Sequence, residues 1–391
     1  MINIIKTNKF QTSLITGLFL LTFNISAVAG TETGTPAETS RKATSIIHVP
    51  SGYGTDHILD TTRIFTDRDL IQKADLSKAV TLALKSKTEV FIREKGIYVL
   101  SGNYTDTSVI IEADKKAKIQ LVLDNLKVSN ERVPAIYVKS ADKVYITTAG
   151  GESSLQVTGS FAKDENTNLN AVIFSRSDLI LNGTGTLEII SANGNGISSK
   201  DDLKITGGTL KISASNTGLS ANDSISVYDG NIDVKSRRDA LHSENKDDQL
   251  SGYIYIRNGV LNITAGDDAI QGNSAVQIDG GNIHIETCRE GIEATFVQIN
   301  GGTLVINAMD DGISAAYKTR MTVAIIINGG NIDVTMASGD TDAFDSNGYI
   351  YINGGTINAK GWSIFDPGSR SWIAWLGGDI TVNGQAWTRE K

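Results

Sequence analysis

Five carboxylates recur at nearly one interval in the second half of the sequence: Asp239, Asp268, Glu290, Asp311 and Asp342. Each opens a four-residue unit (DALH, DAIQ, EGIE, DGIS, DAFD), and two units without an acid, NGIS at Asn195 and TGLS at Thr217, precede them. The steps between first residues are 22, 22, 29, 22, 21 and 31. A near-constant period broken by two longer steps is the mark of stacked repeats. If the repeats stack as β-rungs ~4.8 Å apart, five carboxylates on consecutive rungs repel one another and need a compensating cation.

Calcium takes oxygen ligands at ~2.3–2.6 Å, so an ion between two such rungs reaches both rows. Further oxygens come from Asp267 and Asp310, one residue before the ladder, and from Glu293 and Asp345, three after it, with Gln271 as a neutral donor. Four sites can be drawn: Asp239 with Asp267 and Asp268; Asp268 with Glu290 and Glu293; Glu290 with Asp310 and Asp311; and Asp311 with Asp342 and Asp345. They share ligands, so they cannot all fill at once. An all-oxygen set with no Cys or His cluster favours Ca²⁺ over zinc or copper. The alternative is that the acids cap corner amides and face solvent. Arg238 and Arg289 alternate with Asp267 and Asp310, which suggests ion pairs; with Lys246 and Lys318 they are also the candidates to meet a sugar carboxylate. His242 has no Ser or Cys nucleophile fixed beside it and reads as a surface residue.

The elements that must hold this ladder are short strands. The second position of every unit is Gly or Ala and the third is apolar, which makes an inward stack behind a crowded bend. Between the units lie paired β runs around glycine turns, such as VQIDGGNIHI from Val276 and IIINGGNIDV from Ile325, whose alternation puts one face inside. A unit of about 22 residues without helical period cannot bury its apolar face alone, so neighbours must stack. The fold expected is all-β, a single-stranded parallel β-helix (solenoid). A leucine-rich repeat overlaps in period, but its Leu signature is absent, as is the calcium-binding nonapeptide. The longer steps hold SENKDDQLSG from Ser243 and AAYKTRMTVA from Ala315, both leaving at the same corner, and insertions stacked on one side of a solenoid mark its working face.

The 391 residues are 40% hydrophobic, adequate for one continuous solenoid core, and 39 Gly against 4 Pro suit corners made by glycine. A net charge of -8 argues against a nucleic-acid partner. Residues 1–29 combine Lys6 and Lys9 with an apolar run and a small-x-small end at Ala27-Val28-Ala29, a signal peptide that sends the chain to the periplasm, the cell surface or the medium. No later apolar run is long enough for membrane insertion once the signal is removed. Residues 30–60 read as a flexible linker and 61–391 as the β-helix, with an atypical N-terminal cap where spacing is irregular. The one cysteine, Cys288, reads as a buried structural thiol, and the four tryptophans near the C-terminus as a plug on the last rung.

The ordered series GIYVLSG, IQLVLDNLKV, AIYVKSADKVYIT, DLILNGTGTLEI, GISSKDDLKITGGTLKI and GDDAI resembles the secreted bacterial carbohydrate-binding domain-containing β-helix proteins, over roughly Thr66 to Asn358. The resemblance implies a right-handed helix, Ca²⁺ on the Asp-Asp corners, and binding of cellulose and acidic plant polysaccharides such as polygalacturonate. The calcium corners of that family are similar to those of pectate lyases, an Asp on one rung joined to Asp-Asp-x-x-Asp on the next. Asp239 with Asp267 and Asp268 matches except at Gln271, and Asp311 with Asp342 and Asp345 except at Thr341. The function expected is a secreted, calcium-dependent polysaccharide binder without catalysis. A calcium-dependent polysaccharide lyase and a surface adhesin are the alternatives.

Overall fold

Runs of three to six residues with alternating apolar side chains, separated by glycine pairs, give short strands that turn three corners per coil. The computed structural model describes residues 58–388 apart from 165, 166, 340 and 370. The expected signal peptide, and the expected linker up to residue 57, lie outside the described residues. Among these, the coils stack as a right-handed parallel β-solenoid with three faces, and the short pairs Lys163–Asp164 with Thr167–Asn168 and Asp379–Val382 with Gln385–Ala386 are antiparallel. One coil illustrates all: Ile292–Ala294 on the first face, Phe296–Ile299 on the second, Thr303–Ala308 on the third. The first face is a sheet of 12 strands; the other two join into one sheet of 24, because the early strand Lys118–Asn130 turns the corner between them without a break.

The third position of each ladder unit forms the inward stack. Ile197, Leu219, Leu241, Ile270, Ile292, Ile313 and Phe344 pair in that order and are fully buried, and Phe365 stacks under Phe344 at 5.2 Å. Glycine is required where coils crowd. At Gly302, φ is +94° and a Cβ would sit 2.9 Å from the Gly281 carbonyl oxygen one coil up. The second face carries an amide ladder, in which Asn353 donates to Asn328, Asn328 to Asn300 and Asn300 to Asp279, each at 2.7 Å.

Two features close the exterior. Residues 58–75 run along the outside of the second face, opposite in direction to the stacking. The Leu59 amide donates to Gln277 and the Ile58 amide to Gln298, the Lys204 ammonium donates to the Ile64 carbonyl, and Tyr145 donates to Asp69 five coils nearer the N-terminus than Gln277. Ile58, Leu59 and Ile64 are buried there against Tyr253, Tyr255 and Phe296. Beyond Leu76–Lys78 the chain enters the irregular N-terminal coils, where Val80–Thr81 and Glu89–Ile92 pair with the first full rung. At the other end Trp387 packs on Phe365 and Trp375 on Trp387, covering the last coil, whereas Trp362 is 88% exposed. Trp372 packs on Tyr349 outside the second face, so the tryptophans are divided among a plug, that outer cluster and an open surface. No helix of the described residues is long and apolar enough to cross a membrane.

Candidate metal centre

The ladder lies at the corner where the third face turns into the first. Its outward neighbours on the first face pair in one column: Ser198, Ser220, His242, Gln271, Glu293, Ser314, Asp345 and Asp366. Asp366 belongs to an eighth unit starting at Ser363, 21 residues after Asp342. The sequence conceals it because Ile364 stands where the others have Gly or Ala.

Two of the four groups drawn from the sequence come together among the described residues: Asp239, Asp267 and Asp268, and Asp268, Glu290 and Glu293, with one ligand atom of each residue within 4.8 Å of the others. Asp268 is common to both and is 1% exposed. Two of the ladder acids cap amides of the next coil. Asp239 accepts the Asp268 amide at 3.3 Å and Asp311 accepts the Asp342 amide at 2.8 Å through Oδ1. On Asp239 the second oxygen faces His242 Nδ1 at 2.6 Å, so this histidine is a half-buried partner of the ladder and no free surface group.

Four basic residues were candidates for substrate contact, and the fold sends them to different places. Arg289 lies inside the ladder: Nε meets Asp267 at 2.7 Å, Nη2 meets Asp268 at 2.8 Å, and Nη1 meets Asp310 at 3.4 Å and also Glu290. Lys318, on the second insertion, reaches Glu293 at 2.6 Å. Arg238 meets Asp267 at 3.3 Å with most of its side chain in solvent. Lys246 is exposed on the first insertion and makes no ladder contact among the described residues. The two insertions touch, the Arg320 amide donating to Gln249, so they form one rim at the far corner of the first face.

The electrostatics show an acid excess that Arg289 does not cancel. Burial, followed by the charge on Glu290, pushes Asp268 up to about 8 although a guanidinium is beside it. Burial and the charges of Asp311, Asp366 and Asp342 push Asp345 up to about 7. Glu290 and Asp311 rise for the same reason, burial first and neighbouring carboxylates after it. Asp267 goes the other way, held low by its hydrogen bond to Arg289. Gln271 turns its amide nitrogen toward Asp268 and Glu293, both at 2.6 Å, so here it donates and does not act as the neutral oxygen expected. Glu290 Oε2 is buried with no hydrogen-bond partner. An orphaned carboxylate oxygen beside two more carboxylates fits a hard divalent cation, whose ligands would be Asp268, Glu290 and Glu293.

Cys288 is buried, donates to the Asn307 carbonyl at 3.5 Å, and is pushed up to about 12 by burial, as an inert thiol would be.

A parallel β-solenoid with a stacked carboxylate corner defines the class. Residues 86–341, well over half of the chain, match the profile of the carbohydrate-binding domain-containing proteins, and the chain belongs to that family. A carbohydrate-binding domain-containing protein of Acetivibrio thermocellus is 38% identical over 239 residues, which are 60% of this chain and 82% of that protein. Among solved structures, the polysaccharide lyase-like protein from C. thermocellum, as a gadolinium derivative, superposes with a TM-score of 0.52 at 30% identity, covering 55% of this chain and 93% of that one.

Proposed function

We propose that the chain is an exported carbohydrate-binding solenoid whose ladder holds Ca²⁺ and so binds the carboxylates of an acidic polysaccharide such as polygalacturonate, without cleaving it. The observation that carries this reading is Glu290 Oε2, buried and unpartnered beside Asp268 and Glu293. When bound, the ion would supply positive charge that an acidic protein otherwise lacks for an acidic polymer. The all-oxygen set favours calcium. The first face is also flanked by exposed aromatics suited to stacking on sugar rings. Trp362 lies on the ladder side of the face, one residue before the partner of Asp342, and Tyr317, 73% exposed, lies on the insertion side.

The likeness to a lyase-like protein keeps the alternative of β-elimination in view, which needs a free base next to the cation. Arg289 and Lys318 are both engaged by carboxylates, which favours binding over cleavage. The test is incubation with polygalacturonate, with calcium or with chelator, following cosedimentation and the absorbance of unsaturated products. Calcium-dependent cosedimentation with flat absorbance supports the proposal. Rising absorbance replaces it with the lyase, and cosedimentation unchanged by chelator removes the cation from the reading.

A further inference from the structure

The corner where the first face turns into the second changes sign along the solenoid axis. Lys118 pairs with Lys143 on the next coil and Lys143 with Asp178 on the one after, while Lys95, one residue before the pair of Gly96 with Ile119, heads the column. Like charges ~4.8 Å apart repel, so each lysine calls for a counter-charge. Lys143 has two, the buried Asp69 at 3.5 Å and Asp178 at 3.7 Å. Lys118 has Asp142, and Lys95 has no ion-pair partner among the described residues. Two more cations join them. Lys116 lies two residues before Lys118, and Arg68 comes from the outer segment 58–75, its guanidinium 4.7 Å from the centre of the Tyr145 ring. Neither has an ion-pair partner among the described residues. Arg68, Lys95, Lys116 and Lys118, with Gly96 and Ile97, line a concavity of about 340 Å³ that no carboxylate of the described residues lines. The surroundings share this sign: ten basic against seven acidic residues fall between Arg68 and Lys118, in a chain whose net charge is -8.

We infer that this basic concavity is an anion site, which takes a phosphate monoester group and needs neither the ladder nor a metal. The backbone that carries the cations is held in place. Asp69 accepts the Thr66 amide at 3.0 Å, and Gln72 donates to the Thr206 carbonyl at 3.0 Å and accepts the Gly183 amide at 2.8 Å, which fixes the segment on either side of Arg68. Asp114 accepts the Lys116 amide at 2.8 Å and so sets the turn before Lys118, while Glu112 is taken by Arg93 at 3.3 Å. The number of unneutralised cations sets the ligand class. A carboxylate brings one charge and two oxygens, whereas a phosphate monoester brings close to two charges at neutral pH and three oxygens, enough to meet Arg68, Lys95 and Lys116 together. Arg68 supplies a planar fork and the lysines supply mobile point charges, a combination suited to phosphoryl oxygens. The concavity exceeds one phosphate group in volume, so the group enters as the end of a larger molecule. A phosphorylated sugar and a phospholipid head carry the same group, and the experiment separates the two sources.

The test is calorimetric titration of the metal-depleted full chain with glucose 1-phosphate and, as the carboxylate control, galacturonate, together with cosedimentation on phosphatidylcholine vesicles with and without phosphatidic acid. Glucose 1-phosphate should bind, and galacturonate should bind about tenfold more weakly or less. Lys95→Ala with Lys116→Ala, two exposed positions, should weaken the phosphate ligand about tenfold or more, and circular dichroism checks that the variant is folded. Asp268→Asn should leave binding unchanged. Binding of glucose 1-phosphate without cosedimentation assigns the group to a soluble sugar; cosedimentation that needs phosphatidic acid and is lost in the double variant assigns it to a lipid head. Binding of neither probe overturns the proposal. Equal affinity for galacturonate, or binding that the double variant retains, overturns it as well. Failure of calcium-dependent cosedimentation with polygalacturonate would leave this result untouched, so the two readings fall separately.

Discussion

Arg289 and a divalent cation compete for the same oxygens. The guanidinium spans Asp267, Asp268, Glu290 and Asp310, yet it brings one charge to a group that holds several. Removing it takes a positive charge from within a few ångströms of the site and leaves the carboxylates free, so Arg289→Ala should tighten calcium binding by about tenfold or more in a calorimetric titration. Weaker binding in that variant would mean that the arginine organises the site and does not occupy it. Asp268→Asn should act in opposite directions with and without the ion. In chelator it relieves repulsion with Glu290 and Glu293 and raises the melting temperature; in calcium it removes a ligand shared by both groups and loses the stabilisation the ion supplies. A fall in chelator would show that Asp268 is needed for the fold itself. The column of acids was legible from spacing alone, because residues one period apart must be neighbours. The direction of each side chain was not. Nothing in the sequence shows that Arg289 turns inward while Arg238 stays in solvent, that Gln271 donates, or that Trp362 faces outward while Trp375 and Trp387 plug the end.

At the scale of elements, the outer strap is what the sequence conceals. Residues 58–75 have no period, since they cross the coils and do not form one, and periodicity is the signal from which the solenoid was read. Their partners are equally hidden: Gln277 and Gln298 look like solvent-facing residues of a strand, but both are fully buried and accept strap amides. Ile64 anchors the middle of the strap, and Ile64→Ala should cost about 2–4 kcal/mol locally. The expected outcome is faster amide exchange over residues 58–75 with first-face strands unchanged; equal loss of protection in both would make the strap part of the global fold. A second acidic corner, between the first and second faces, gives a pH effect. Burial and the charge of Asp178 raise Asp201 to about 7, and burial and Asp202 raise Asp178 to about 6. A carboxyl raised in the folded state stabilises below its unfolded value near ~3.9 and loses that contribution as pH rises through its folded value. Stability contributed by this corner should therefore fall between about pH 4 and 7. Asp201→Asn should flatten that fall and raise the melting temperature at pH 8; a variant with an unchanged pH profile would remove this corner as the cause.

For the whole molecule, the architecture was legible because a solenoid is close to one-dimensional: each coil meets only its neighbours, so a repeated pattern in sequence becomes a repeated contact in space. The same property limits how far a bound ion can act. A cation held by Asp268, Glu290 and Glu293 would tie together two adjacent coils, on which the coil of Asp239 stacks, and its binding energy enters the stability of those coils by mass action, about 2.7 kcal/mol at a hundred times the dissociation constant. Nothing rigid carries that energy to the early coils, whose outward first-face residues Tyr137 and Phe174 pack under the insertion that contains Leu169 and have no acid ladder. Hydrogen exchange with and without calcium should show it directly. Added protection is expected in Leu241–Ser243, Ile270–Gly272 and Ile292–Ala294 and not in Ile136–Ser140. Protection that spreads evenly over all coils would indicate a cooperative unit larger than nearest neighbours. No change in the three ladder strands would mean that the carboxylates do not hold the ion, and Arg289, Lys318 and Arg238 would then be their counter-charges.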